Sequence, residues 1–212
     1  MGGAAPFQTN LPNDALQGAF GVPLLEVTPH PQDEFGFYAS NRHERLDQPF
    51  EISDDITLPQ AAAYTFNRFR FWGRTASRRM FSIQGRYDVG DFYSGTRTER
   101  QANLSIRVRP GVFLYINGEW NRIALREGSF STRLYRFTGE TQLSPFIALV
   151  NNIQYDSQSA VLGWQSRFRW ILTPGNDLYI VYTHNWLDDP VLNRFATLDK
   201  RAASKILYTY RF

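Results

Sequence analysis

The chain contains no cysteine, which excludes disulfides, thiolate catalysis and cysteine-ligated metals. Long apolar runs are missing too. The longest reach five residues, as at 146–150, against the roughly 18 that a membrane-spanning helix requires. A transmembrane helix is therefore excluded. Strong charge of one sign is absent: the net charge is +3, with no zinc-finger spacing, RNP-like motif or compact Lys/Arg cluster. Nucleic acid is not an expected partner. The histidines His30, His43 and His184 make no metal-ligand spacing, and no cofactor or metal site is expected. The opening Met1-Gly2-Gly3-Ala4-Ala5-Pro6 has neither the basic nor the apolar region of a secretory signal, so a piece of a longer gene product is expected.

What the chain does have is 42% hydrophobic and 16% aromatic residues, with 17 Phe, 11 Tyr and 5 Trp over 212 positions. Residues 1–33, broken by Pro6, Pro12, Pro23, Pro29 and Pro31, sustain no period and read as an irregular segment. From 34 onward, apolar and polar residues alternate, as a strand requires when its two faces meet different surroundings. Val112, Leu114, Ile116, Gly118 and Trp120 oppose Tyr115, Asn117 and Glu119. Phe81, Ile83, Gly85, Tyr87 and Val89 oppose Ser82, Gln84, Arg86 and Asp88. Ala102, Leu104, Ile106 and Val108 oppose Asn103, Ser105 and Arg107; Leu162, Trp164, Phe168 and Trp170 oppose Gln165, Arg167 and Arg169.

The pattern predicts strands over 34–42, 64–74, 79–91, 100–109, 112–125, 131–143, 146–156, 160–172, 177–185 and 201–212. Their connections alternate between tight (75–78, 109–111, 144–145, 173–176) and longer (43–63, 92–99, 126–130, 185–200), with 157 the centre of a short one on the longer side. Outer-membrane barrels arrange periplasmic turns and external loops in this way. The expected fold is all-β: an antiparallel up-and-down transmembrane β-barrel over 34–212, with about ten strands and in all a partial barrel. The last strand places Ile206, Tyr208, Tyr210 and Phe212 on one face, a pattern similar to the C-terminal signal that the barrel-assembly machinery reads by strand addition.

Several segments carry a further resemblance: 45–52 (RLDQPFEI), 75–79 (TASRR), 90–95 (GDFYSG), 154–156 (QYD), 167–170 (RFRW), 174–179 (PGNDLY) and 197–199 (TLD). Over roughly 40–212 the chain resembles the C-terminal barrel of an uncharacterised bacterial outer-membrane family, a domain of unknown function. Full-length members of that family carry an upstream carbohydrate-binding domain of the family-nine type. The resemblance implies that this domain and the early barrel strands are missing here, and that any contact with carbohydrate runs through the missing part. It supplies no catalytic residues.

Among polar residues, Arg68, Arg70, Arg86, Asp88, Arg107, Glu119, Arg136, Glu140, Arg167 and Arg169 are expected on the interior, lumen-lining face. Arginine forks suit anionic or sugar ligands. A structural ion-pair network filling the interior explains the same residues more simply. His184 with Asp188 and Asp189 is the one candidate for rim acid/base chemistry, and Asp54 with Asp55 for calcium; ordinary loop polarity accounts for both. The expected function is an outer-membrane barrel segment, without catalysis of its own, that anchors a larger glycan-handling protein and forms its pore. Its partners are lipid, lipopolysaccharide and assembly factors. The alternatives are a barrel hydrolase with a rim active site and a soluble all-β binding domain.

Overall fold

In the computed structural model, residues 8–9, 15–30, 32–53, 55–60, 62–189 and 193–209 are described. The chain is all-β and antiparallel. Its strands are β1 (Gln8–Thr9), β2 (Ala15–His30), β3 (Asp33–Arg45), β4 (Phe50–Ser53), β5 (Ile56–Leu58), β6 (Ala63–Arg74), β7 (Phe81–Phe92), β8 (Gly95–Arg109), β9 (Val112–Ala124), β10 (Ser129–Ser144), β11 (Ile147–Asp156), β12 (Val161–Thr173), β13 (Asn176–Asp189) and β14 (Arg194–Leu207). Twelve of them form one sheet in sequential order, with the separate hairpin β4–β5 inserted between β3 and β6. No pairing among the described residues closes the sheet into a ring. Two compact units divide the chain: 1–76 with 84–102 and 119–132, and 77–83 with 103–118 and 133–212.

The tight connections follow from turn chemistry. Pro110-Gly111 and Pro174-Gly175 place proline where φ is negative and glycine where it is +79° and +91°, the requirement of a type II turn.

Three sequence expectations need correction. Within 1–33, of which 1–7, 10–14 and 31 lie outside the described residues, residues 15–30 are not irregular: they form the 16-residue β2. Its register slips between Pro23 and Leu25 and between Val27 and His30, so the prolines that hide the period sit at irregularities, where a missing N–H is tolerated. The long loop expected at 92–99 is a two-residue turn, Tyr93-Ser94, between β7 and β8. The loop expected at 185–200 is mostly paired strand, β13 and β14 being separated by 190–193 alone. The terminal strand therefore starts earlier than 201 and ends at Leu207. Twelve strands stand where about ten were expected.

In the first unit, cross-strand register sorts the side chains onto two faces. Tyr38, Arg70 and Asp88 lie opposite one another across β3, β6 and β7, as do Gly36, Trp72 and Arg86. The other face carries Phe37 stacked on Phe71 at 4.5 Å, with Phe69 at 6.0 Å from Phe37 and Tyr87 at 6.5 Å from Phe71. In the second unit Phe137, Ile153 and Trp164 face one way, as do Leu149, Phe168 and Ile180. Arg136 and Gln154, or Gln165 and Thr183, face the other.

The polar face of the first unit turns apolar at one end, where Tyr64 and Phe66 meet Tyr93 at 5.2 Å each. Apolar groups there need cover, and the 46–62 connection supplies it. Ile56 and Leu58 of β5 are buried together with Leu46, Phe66 and Ile123, Ile56 lies over Gly128, and Phe50 of β4 approaches Tyr93 at 6.0 Å. Tyr93 itself has φ +47°, costing about 1–2 kcal/mol for a residue with a Cβ. Its ring contacts and its hydroxyl hydrogen bond to Glu44 (3.2 Å) hold it there.

Two outcomes are expected. Leu58, 0% exposed, should cost about 2–5 kcal/mol when cut to alanine, read as a lowered midpoint in denaturant unfolding. Burial, then the nearby Glu44 carboxylate and the hydrogen bond to it, push the Tyr93 phenol up to about 12. A raised value favours the neutral phenol, so its stabilising contribution is complete below the ordinary value near 10 and is lost as pH rises through about 12. Ultraviolet titration of phenolate formation should lose its latest-titrating tyrosine in Tyr93→Phe.

Candidate functional site: the ion-pair ladder of the polar face

A carboxylate on a sheet face can be taken out of water only if its charge is matched. Asp88 is 3% exposed and Glu99 8%, and both are matched from two sides. Arg70 Nε donates to Asp88 Oδ1 at 2.7 Å, and Arg86 Nε lies 2.9 Å from Asp88 Oδ2. Arg86 Nη2 also pairs with Glu99, whose second oxygen is 2.9 Å from Arg97 Nη2. Arg97 continues to Asn121 Oδ1 at 2.8 Å, and the Asn121 amide donates to Glu119 at 3.0 Å and to Thr132 Oγ1 at 3.2 Å. The ladder thus crosses β6, β7, β8, β9 and β10. Charges alternate along it, so every carboxylate sits between two guanidiniums or ends on an amide.

Of the interior residues expected from sequence, Arg70, Arg86, Asp88 and Glu119 belong to this ladder, and Arg68 stands beside it, two residues from Arg70 on β6. Arg97, Glu99 and Asn121 were missed. Alternation was legible for them, since 97 and 99 are in phase with Asn103, Ser105 and Arg107, but 92–99 was read as loop. The other expected residues lie in the second unit and form no ladder. Arg107 lies over the Phe113 ring at 5.6 Å. Arg136 donates to Gln154 at 2.8 and 3.0 Å. Arg169 pairs with Asp177 at 2.9 Å and lies 5.6 Å from the Tyr179 ring centre. Glu140 and Arg167 flank Val150 from either side.

The rim candidates do not converge. His184 shares hydrogen bonds with Tyr182 (3.3 Å) and Thr197 (3.1 Å) and stacks on Trp186 at 3.8 Å. Asp188 instead accepts from the Tyr155 hydroxyl at 3.0 Å. Four residues apart on one strand, His184 and Asp188 stand roughly 13 Å apart, too far for direct proton transfer. Asp54 lies outside the described residues, and among those described no three His, Asp or Glu gather as metal ligands. Of the terminal signal, Ile206 lies opposite Leu178, Tyr208 follows the end of β14 at 73% exposed, and Tyr210 and Phe212 lie outside the described residues.

Asp88→Asn should destabilise the fold by about 1–3 kcal/mol, because the buried Asp88 carboxylate is the counter-charge shared by two partly exposed guanidiniums, Arg70 and Arg86. The same change at Asp177, which is less buried and ion-paired with one guanidinium rather than two, should cost about 0–1 kcal/mol. Denaturant unfolding of the two variants side by side measures the contrast. Comparison with protein-family models, with curated proteins and with solved structures finds no match to this chain.

Proposed function

We propose that this chain forms part of the wall of a transmembrane β-barrel in a bacterial outer membrane, anchoring a larger glycan-handling protein and performing no catalysis of its own. The observation that carries the reading is an inverted partition. Asp88 and Glu99 are buried, whereas Phe71 is 48% and Ile83 57% exposed. In water, leaving such side chains uncovered forgoes about 1.5–3 kcal/mol each; against lipid it forgoes nothing. A sequential antiparallel order and strands mostly of 12–16 residues meet the roughly 9–11 needed to cross at a tilt.

Aromatic placement in the second unit supports the same reading. Trp186, opposite Leu162, and Trp170 lie eight residues apart along β12, roughly 27 Å. Tilted at about 40°, that is of the order of 20 Å, near the height of the apolar band that aromatic girdles flank. Phe168 and Ile180 lie between them. From β8 onward connections alternate as well: 110–111, 145–146 and 174–175 have two residues, against four at 125–128, 157–160 and 190–193, whereas before β8 the six residues of 75–80 and the two of 93–94 depart from the pattern. The shorter series would be periplasmic. Lipid and lipopolysaccharide would meet the apolar face, and the assembly machinery would take the last strand. The glycan-handling role rests on the resemblance of 40–212 to a barrel that follows a carbohydrate-binding domain.

Phe71→Arg tests the partition. Against lipid it should cost about 2–4 kcal/mol, while on a water-facing surface it should change stability by about 0.5 kcal/mol or less. Folding from urea into phospholipid vesicles reads the difference. Soluble expression without detergent together with a neutral Phe71→Arg would sink the proposal.

A further inference from the structure

One guanidinium on the polar face is short of acceptors among the described residues. Arg68 lies on β6 opposite Ser40 of β3 and Gly90 of β7. Its Nε and Nη2 are shut off from water and make no hydrogen bond. Neighbouring carboxylates are ion-paired elsewhere: Asp88 with Arg70 and Arg86, Glu99 with Arg86 and Arg97, and Glu44 with Arg42, although Asp88 Oδ2 accepts no hydrogen bond among the described residues. A guanidinium carries five donors and stays charged at any accessible pH, so this one is a positive charge with no ion-pair contact of its own among the described residues.

Beside it is a cavity of about 250 Å³ whose wall includes Tyr38, Ser40, Arg42, Arg68, Arg70 and Asp88. With Glu99, three guanidiniums and two carboxylates line it, leaving one positive charge in excess. Two hydroxyl-bearing side chains, Tyr38 and Ser40, belong to the same wall. The Tyr38 phenol occupies the space that a Cβ at Gly21 would fill, since its oxygen lies 1.3 Å from that position. Glycine at 21 therefore permits the placement of the phenol.

We propose that this cavity is a binding site for a small oxyanion, a carboxylate or phosphate group, with Arg68 as its charged anchor. An oxyanion supplies the acceptors Arg68 lacks and cancels the excess charge, and charge-assisted bonds of this kind are the strong ones. A water molecule would satisfy the donors without the charge. This site depends on the polar face alone and goes beyond the anchoring role.

The two explanations of Arg68 differ in sign. If it is a structural member of the ladder, removing it weakens the fold. If it awaits an anion, Arg68→Met without anion folds at least as well as the wild type, because a charge with no ion-pair contact of its own has been removed. The experiment follows the urea midpoint of the full chain in detergent micelles with added phosphate, with added acetate, and with sodium chloride at the same ionic strength. Expected for the wild type is a saturable rise with phosphate, acetate or both over chloride, since a ligand of the native state stabilises it; the arm that responds names the group. Arg68→Met should show no such rise, while Arg169→Met, in the second unit, should keep it. No rise in the wild type, an equal rise in Arg68→Met, or failure of both Arg68→Met and Arg68→Gln to fold overturns the proposal.

Discussion

The ladder from Arg70 through Asp88, Arg86, Glu99 and Arg97 to Asn121 is the constraint on which the first unit depends, because it fixes strand register as well as charge. Arg70 stands opposite Asp88 across β6 and β7. A slip of one residue would throw every charge to the other face. A slip of two in one direction sets Arg70 against Arg86, and in the other Arg74 against Arg86, like charges directly opposite in both cases. Hydrophobic alternation excludes odd slips only. The ladder opposes the even ones, to which the alternation is blind, because each breaks the Arg70–Asp88 pair, although one of them sets Arg68 opposite Asp88 instead.

That division of labour accounts for the contrast between the units. Where β6 to β10 carry opposite charges, buried carboxylates are possible. On the polar face of the second unit, by contrast, links run through side-chain amides, Thr138 to Asn152 at 3.1 Å and Asn185 to the Asp199 carboxylate at 3.0 Å, beside the Arg169–Asp177 ion pair. Such amide links hold a register more weakly than an alternating ion ladder. Aromatic and β-branched pairs on the opposite face, such as Phe137 with Ile153 and Phe168 with Ile180, supply the complement there. Each unit thus has both a polar and an apolar record of its register.

The all-β class and the face taken by each side chain were legible because both rest on a period of two, which survives in any stretch with unlike faces. Trp164, Phe168 and Trp170 opposite in sense to Gln165, Arg167 and Arg169 is one such stretch, and the observed register keeps it. The strand ends were not legible. Beside Asn185 and Asp199 the register shifts, and His184 faces Lys200 and Trp186 faces Thr197, so pairing continues with no clean alternation to announce it. β2 was hidden for the opposite reason: Pro23 and Pro29 break the pattern at the irregularities where the structure can accommodate them. Ile56 and Leu58 were unreadable as core, since the other buried apolar residues of this unit, such as Phe66 and Ile123, stand at distant positions in the chain. Half of the ladder was visible as inward residues; that it is a ladder depended on Arg97 and Glu99, which a misplaced loop concealed.

β14 bears on what surrounds the sheet. It pairs with β13 along its length and stands last in the strand order, so its outer backbone groups have no strand partner among the described residues. In water such an edge is tolerable when charges discourage further pairing, and Asp199, Lys200, Arg201 and Lys205 stand along it. In hydrocarbon each unsatisfied backbone group costs several kcal/mol, and alternate residues over a 14-residue strand would make the edge untenable. The register puts Lys205 on the polar face beside Tyr179 and Ile206 on the other beside Leu178, so near its end β14 is amphipathic in the same sense as its neighbour. A strand with an apolar face toward lipid and an unsatisfied edge has one physical remedy, a further antiparallel strand beside it. The membrane reading therefore carries a requirement that a soluble one does not: β14 must be paired on both sides wherever its apolar face meets lipid.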